Sequence, residues 1–253
     1  MLNIRRNVFI LGVAFILSSC AMAPIKLSTI PEKEIFPFLT VPIFRQDVFH
    51  AVAPAETLWC ISRMYDVKIE DIVQANNLKD STELEMGQRL LIPKAAPIRP
   101  VIPLYKTRKW KYIIIHHSAT DEGDSLFLFK LHLKRGFLGL GYDFVIDNGT
   151  LGKGDGQIEV SPRWIKQQDG AHCKAADMNF KGIGICLVGN FSKEKVSQKQ
   201  MGSLVYLIKI LRVYYNIPYR NIMGHGQVPG AKTECPGKRF PWKEFKDRLK
   251  GSK

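Results

Sequence analysis

Cysteine is scarce in this sequence, and no apolar run reaches the roughly 18 residues that a membrane-spanning helix needs. The 253 residues include five cysteines. None of them lies in a CxxC pair, and no HExxH segment exists, so both of these local metal-site patterns are excluded. Acidic residues are also few, 23 against 37 Lys and Arg. Because 45% of the residues are hydrophobic, the chain can still bury a sizeable core, which excludes a disordered or fibrous protein.

The longest apolar run, residues 8–17, follows two arginines and is typical of the apolar segment of a secretory signal. It ends in Leu17-Ser18-Ser19-Cys20, which resembles the lipobox of bacterial lipoproteins. That resemblance implies that residues 1–19 are a lipoprotein signal peptide and that Cys20 carries the lipid anchor. Ala21 stands where an aspartate tends to retain lipoproteins in the inner membrane of Gram-negative cells. We therefore expect a lipid-anchored envelope protein, which in a Gram-negative cell lies on the periplasmic face of the outer membrane.

Two proline-rich segments divide the rest of the chain. Residues 20–46 are predicted to form a tether, and residues 95–108 a linker, which leaves domains at 47–94 and 109–250. Residues 104–253 carry 26 Lys and Arg against 13 Asp and Glu. This excess suits an anionic partner, whether nucleic acid, an acidic membrane surface or a cell-wall polymer, although a solvated lysine-rich surface has the same composition. Export of the chain argues against nucleic acid.

The smaller domain shows a strand–helix–helix–strand pattern. Its first strand is followed by Thr57, which is predicted to cap a helix that starts at Leu58. A second helix is predicted over Ile69–Ala75 and a last strand over Arg89–Pro93. Trp59 and Cys60 are predicted to belong to the core.

Four short sequence motifs, occurring in this order, resemble a LysM domain over its whole length: His50-Ala51-Val52, Thr57-Leu58-Trp59, Asn76-Asn77-Leu78 and Gly87-Gln88-Arg89-Leu90-Leu91-Ile92-Pro93. The resemblance implies binding to N-acetylglucosamine-containing glycans, chiefly peptidoglycan, through the loops after the first strand and before the last. Because a proline-rich linker follows, we expect this unit only to raise the local concentration of substrate.

The larger domain alternates strands and helices. Tyr112–His117 is an apolar, β-branched run, which predicts a buried central strand. Strands are also predicted over Tyr142–Ile146, Ile183–Val188 and Ile222–Met223, and helices over Asp124–Arg135, from Ser197 to Tyr215 and over Trp242–Leu249. The predicted fold is α/β, with a mixed central sheet flanked by helices, preceded by the small βααβ domain.

Three short motifs of the larger domain contain residue types that commonly bind metals: Ile115-His116-His117-Ser118-Ala119-Thr120, Gly224-His225-Gly226-Gln227 and Thr233-Glu234-Cys235-Pro236-Gly237. Imidazole nitrogen and thiolate are the donors that zinc prefers, and a catalytic zinc takes three protein ligands and keeps one position open. His116, His225 and Cys235 offer such a set. Taken singly, each histidine is more often an ordinary core or surface residue.

These motifs resemble those of the N-acetylmuramoyl-L-alanine amidases. The resemblance extends to Gly141-Tyr142-Asp143-Phe144, Gly170-Ala171-His172 and the run from Gly182 to Phe191. That family includes phage amidase-type lysozymes and animal peptidoglycan recognition proteins, and the likeness covers residues 110–249. It implies a Zn²⁺ hydrolase that cleaves the amide between N-acetylmuramic acid and L-alanine of the stem peptide. It also implies that His116, His225 and Cys235 are the zinc ligands.

Further roles follow from the same resemblance. Tyr142 occupies the position of a catalytic tyrosine that holds the nucleophilic water or the oxyanion. The second stabilising group is either Thr233, which we favour by register, or Lys232. His172 and Asn179 are expected to contact substrate. Some relatives carry a catalytic glutamate where this chain has Cys186, and Asp143 replaces the usual histidine after the tyrosine.

The sequence is compatible with two functions, catalysis and non-catalytic recognition. Some members of the family keep the fold and bind peptidoglycan without cleaving it, and those typically lose the cysteine ligand. Because Cys235 is present, we expect an enzyme, with non-catalytic recognition as the alternative. We also expect a monomer whose partners are peptidoglycan and, through Cys20, a membrane.

Overall fold

The computed structural model describes residues 44–79, 82, 84–107 and 109–251. The expected signal peptide, Cys20 and almost all of the expected tether lie outside the described residues. In chain order the elements are β1 (Gln46–Ala51), α1 (Leu58–Tyr65), α2 (Ile69–Ala75), β2 (Arg89–Ala95), β3 (Tyr112–His117), α3 (Ser125–Lys134), β4 (Phe144–Asn148), β5 (Asp155–Val160), α4 (Pro162–Ile165), α5 (Met178–Lys181), β6 (Gly182–Leu187), α6 (Gln198–Tyr214), β7 (Ile222–Gly224) and α7 (Trp242–Lys250). Among the described residues, no helix is both long and apolar enough to cross a membrane.

The βααβ unit pairs β1 with β2 in an antiparallel ladder and packs α1 and α2 against it. The expected cap is confirmed, since the Thr57 side chain accepts a hydrogen bond from the Cys60 amide. Asn76 ties α2 to β2, because its amide side chain bonds both the N–H and the carbonyl of Leu91. The prediction that Trp59 is a core residue is wrong. Its side chain is 53% exposed, because it lies on the outer face of α1 with the Arg63 guanidinium over its ring.

The larger domain contains a five-stranded sheet in the order β5-β4-β6-β3-β7. Strand β5 pairs with β4 in the antiparallel sense, and the remaining neighbours are parallel. Helices cover both faces of this sheet, which confirms the predicted mixed α/β class. The central strands β3 and β6 are almost wholly buried, as their apolar runs predict.

Helix α6 packs its apolar stripe on one face of the sheet, against alternate residues of β3, β4 and β6. The expected start of this helix is confirmed by a capping box between Ser197 and Gln200. On the other face, α3 covers Val145 and Cys186. The start of α3 is also confirmed, since the Asp124 carboxylate accepts from the Phe127 amide.

Residues 96–105 of the proline-rich linker pack against both parts of the chain. The Arg99 amide donates to the Met64 carbonyl of α1, and Val101 packs on the core of the βααβ unit. A few residues later, the Pro103 carbonyl accepts from the Trp164 indole N–H, and the Tyr105 backbone bonds the Tyr215 hydroxyl. The linker therefore fastens the small unit to the larger domain along most of its length.

A buried cation also joins the two parts. Lys153 Nζ lies 3.0 Å from the Glu159 carboxylate and donates at 3.0 Å to the Ala51 carbonyl of β1. The Lys153 and Glu159 side chains are 4% and 3% exposed. Burial opposes the charge on Lys153, but Glu159 outweighs that penalty and raises the pKa of the lysine to about 12. Lys153 is therefore charged at neutral pH.

We predict that Lys153→Met lowers the free energy of unfolding by about 3 to 5 kcal/mol, because the buried Glu159 carboxylate loses the cation that compensates its charge. Urea unfolding of the full chain measures this. Adding Glu159→Gln should recover part of the loss. The matched control is Lys243→Met, which removes an exposed pair with Asp247 and should change little. Equal effects of the two single substitutions would contradict a structural role for Lys153.

Candidate metal centre

The proposed metal donors meet where parallel strands end. His116 lies at the carboxyl end of β3, and His225 follows directly after β7, the strand paired with β3. Cys235 reaches the same edge on a loop, where its carbonyl accepts from the Gly226 amide at 2.7 Å. A Cβ at Gly226 would lie 2.4 Å from the Thr233 carbonyl oxygen, so this loop can approach only a glycine.

The three donors have the spacing of one coordination sphere. One ligand atom from each of His116, His225 and Cys235 can be chosen so that all lie within 4.8 Å of one another. Cys235 Sγ is 3.7 Å from His116 Nδ1. Bonds of about 2.05 Å to nitrogen and 2.3 Å to sulfur place two ligands of a tetrahedral zinc roughly 3.6 Å apart. The residues present therefore fit a zinc ion bound through the Nδ1 atom of His116.

The far side of the His116 ring is held by a second histidine. His116 Nε2 lies 3.1 Å from His172 Nδ1, and His172 Nε2 lies 3.1 Å from the Gly182 carbonyl oxygen. A His116 that binds metal through Nδ1 carries its proton on Nε2 and donates it to His172. His172 then donates to the carbonyl. This chain fixes the tautomer and the orientation of the ligand ring.

His172 fits behind His116 because two glycines flank its ring. A Cβ at Gly170 would lie 2.4 Å from His172 Cδ2, and a Cβ at Gly184 would lie 2.5 Å from the same atom. The side chain is only 8% exposed, and both ring nitrogens have protein partners. Its position is thus that of a residue that orients His116. Direct contact with substrate stays a prediction.

Burial sets the protonation states of the cluster. It holds the pKa of His116 well below the usual 6.5, lowers that of His172 to about 4, and also lowers that of His225. These imidazoles are therefore neutral near pH 7, which is the form that binds a metal. Burial raises the pKa of the Cys235 thiol to about 12. Of the four side chains, the thiol alone must lose a proton to act as a ligand.

Tyr142 stands beside the three donors, with its ring centroid 5.1 Å from that of His116. Burial and the nearby Cys186 raise its pKa well above 10, so the phenol keeps its proton. The Cys186 side chain on β6 packs in the same cluster as the Tyr142 side chain. His132, on α3, also packs beside the tyrosine, with ring centroids 5.4 Å apart.

The remaining predicted residues lie around this group. The Thr233 side chain is exposed, and its hydroxyl oxygen accepts from the Cys235 amide at 3.2 Å, which leaves its proton available to a ligand. Lys232 is exposed on the same loop. The side-chain oxygen Oδ1 of Asn179 accepts from the amides of His172 and Cys173, so this side chain shapes the loop that carries His172.

Sequence reasoning did not assign a role to His132. Its Nδ1 accepts a hydrogen bond from the Gly141 amide, and its ring is 6% exposed. It therefore fixes the backbone directly before Tyr142. A lone histidine on an apolar helix carries no signal for this role, and only its contact across the fold shows it.

Comparisons with known proteins follow the same division of the chain. Residues 106–238, more than half of the chain, match the family described as N-acetylmuramoyl-L-alanine amidase. Residues 50–93 match the LysM domain.

Among curated relatives, peptidoglycan-recognition protein 2 of Holotrichia diomphalia is 34% identical over 106 residues, which are 38% of this chain and 51% of that protein. The chain thus spans about half the length of this relative. Peptidoglycan-recognition protein SC2 of Drosophila simulans is 29% identical over 53% of this chain and 72% of its own length. Among solved structures, an endolysin N-acetylmuramoyl-L-alanine amidase of Clostridium intestinale is 32% identical, with 56% of this chain and 84% of that chain covered and a TM-score of 0.48.

We predict that Gly184→Ala weakens zinc binding by about 10- to 100-fold, since the new methyl group displaces the His172 ring that orients His116. Competition with a chelating dye measures the affinity. The matched control is Gly202→Ala on α6, where an added Cβ meets nothing within 4 Å and zinc affinity should be unchanged. Unaltered affinity in a folded Gly184→Ala protein would show that His172 does not support the site.

Proposed function

Because the chain belongs to the N-acetylmuramoyl-L-alanine amidase family, we propose that it is a zinc-dependent hydrolase that separates the stem peptide of peptidoglycan from N-acetylmuramic acid. The observation that supports catalysis most directly is the complete set of three donors, His116, His225 and Cys235, at one edge of the sheet. Three protein ligands leave one position of a tetrahedral ion open, as in catalytic rather than structural zinc sites.

Zinc bound there supplies a Lewis acid that polarises the scissile amide and promotes attack by water. The protein side chains supply the rest. Tyr142, kept protonated by burial, can donate a hydrogen bond to the oxyanion that develops on the amide carbonyl. His116 is held in one orientation by His172, so the donor set is organised before substrate binds.

The loop before Cys235 offers the second stabilising group. Thr233 has an exposed hydroxyl whose oxygen already accepts the Cys235 amide, so its proton can point towards substrate. This hydrogen bond supports Thr233 for the role, with Lys232 as the alternative. Asn179, held against the loop of His172, is the proposed contact for the stem peptide.

We further propose that the protein acts in the bacterial envelope. The proposal rests on the lipobox-like segment ending at Cys20 and on the LysM match at residues 50–93, which supports binding to peptidoglycan glycan. Metabolic labelling with a fatty acid analogue tests the lipid, and Cys20→Ser is the control that should lose the label.

The hydrolase proposal predicts the products. Digestion of purified sacculi by the zinc-loaded protein should release stem peptides with a free N-terminal alanine and leave intact glycan strands, as mass spectrometry can show. Cys235→Ser should lose most zinc and most activity, because a hydroxyl is a poorer ligand than a thiolate. A zinc-loaded protein that binds sacculi and releases no peptide would instead indicate non-catalytic recognition.

Tyr142→Phe should lower kcat by roughly 10²- to 10³-fold, the usual cost of removing one oxyanion donor. KM and zinc content should barely change, because the phenol is neither a ligand nor a main ground-state contact. Steady-state kinetics on a soluble muropeptide, with zinc measured in the same samples, tests this. If kcat falls by less than threefold at full zinc occupancy, Tyr142 only packs against the sheet.

A further inference from the structure

The LysM unit turns its loops towards the larger domain. Gly87, in the turn before β2, lies so close to α3 that an added Cβ would be 3.3 Å from Leu126 Cδ2. The loop after β1 is held by Glu56, whose carboxylate accepts from the Ala53 amide and bonds His50. Lys153 binds the end of β1 immediately before this loop. Both loops are therefore fixed at the junction.

A cleft of about 350 Å³ lies between these loops and the larger domain. Pro54, Ala55 and Met86 form the LysM wall, and Leu138, Arg163 and Lys166 belong to the opposite wall. Met86 is 44% exposed and Leu138 is 99% exposed. The cleft thus presents large apolar side chains to solvent beside the basic side chains of Arg163 and Lys166.

One wall of the cleft belongs to the same chain segment as Tyr142. Residues 138–140 line it, and Gly141 and Tyr142 follow directly in the chain. Arg163 fixes this passage, because its Nε donates to the Leu140 carbonyl and its guanidinium also bonds the Asp169 carbonyl. A polymer bound along residues 138–140 therefore lies against the segment that leads to Tyr142, whose ring stands beside His116.

We propose that this cleft is a glycan subsite built jointly by the LysM unit and the catalytic domain. It binds saccharide units of the strand whose muramyl amide lies at the metal centre, so the inference rests on the proposed function. Apolar side chains such as Leu138 and Met86 pack on the C–H faces of sugar rings. Lys166 attracts the carboxylates of peptidoglycan. The LysM unit then acts as a fixed wall beside the site rather than as a loosely tethered anchor.

Kinetics on substrates of two lengths test this subsite. Leu138→Asp and Lys166→Glu should each lower kcat/KM about tenfold for chains of several disaccharide-peptides, and change it less than twofold for a single disaccharide-peptide. The matched controls, Val213→Asp and Lys209→Glu, make the same chemical changes on exposed positions of α6 that do not line the cleft. They should leave both substrates unchanged. Equal losses on long and short substrates, or equal losses in the controls, would overturn the subsite.

Amide hydrogen exchange measures glycan binding to the cleft without requiring hydrolysis of a substrate. Soluble glycan chains without stem peptides serve as the probe on the wild-type full chain. A shared cleft predicts slower amide exchange in both 53–56 and 138–142, and slower exchange in the LysM loops alone would contradict it. If the wild type releases no stem peptide but both walls are protected, the hydrolase proposal fails and the shared cleft stands.

Discussion

The candidate site depends on one buried imidazole. His116 is 1% exposed at the end of a central strand, so both of its ring nitrogens need partners inside the protein. Nδ1 faces Cys235, and Nε2 faces His172. A metal on one side and a hydrogen-bond acceptor on the other satisfy the ring completely. The glycines at 170 and 184, the Asn179 contacts and the His132 support of the Tyr142 backbone all keep the surroundings of this imidazole in place.

Much of this arrangement follows from local sequence. Apolar runs predict the buried parallel strands, and capping side chains predict the starts of α1 and α6, which the structure confirms. The edge strand β5 could not be predicted in this way, since its sequence Asp-Gly-Gln-Ile-Glu-Val lacks an apolar run. Its formation depends on pairing with β4. The donors His116, His225 and Cys235 come from distant segments of the chain. Their spacing in the sequence does not predict a common site, and the prediction that they form one rested on the resemblance to a family.

Features set by contacts between distant segments could not be predicted in this way. Trp59 follows a helical pattern but lies on the exposed face, because α1 is short and its buried side is already filled by Leu58, Ile61 and Tyr65. Lys153 looks like one of many surface lysines, and only its contacts with Glu159 and Ala51 show that it is buried. The prolines of the linker carry no signal for its contacts, which are backbone bonds and apolar contacts with both domains. The contacts that hold the LysM unit against the larger domain are therefore visible only in the folded structure.

The central claim is that His116, His225 and Cys235 form one zinc centre with an open position. X-ray absorption at the zinc edge of the fully loaded chain tests it most directly. We predict one sulfur ligand near 2.3 Å and three nitrogen or oxygen ligands near 2.0 to 2.1 Å, with one of the latter exchangeable. A sphere with two sulfurs, which would recruit Cys173 or Cys186, or a protein that takes up no stoichiometric zinc, would contradict it.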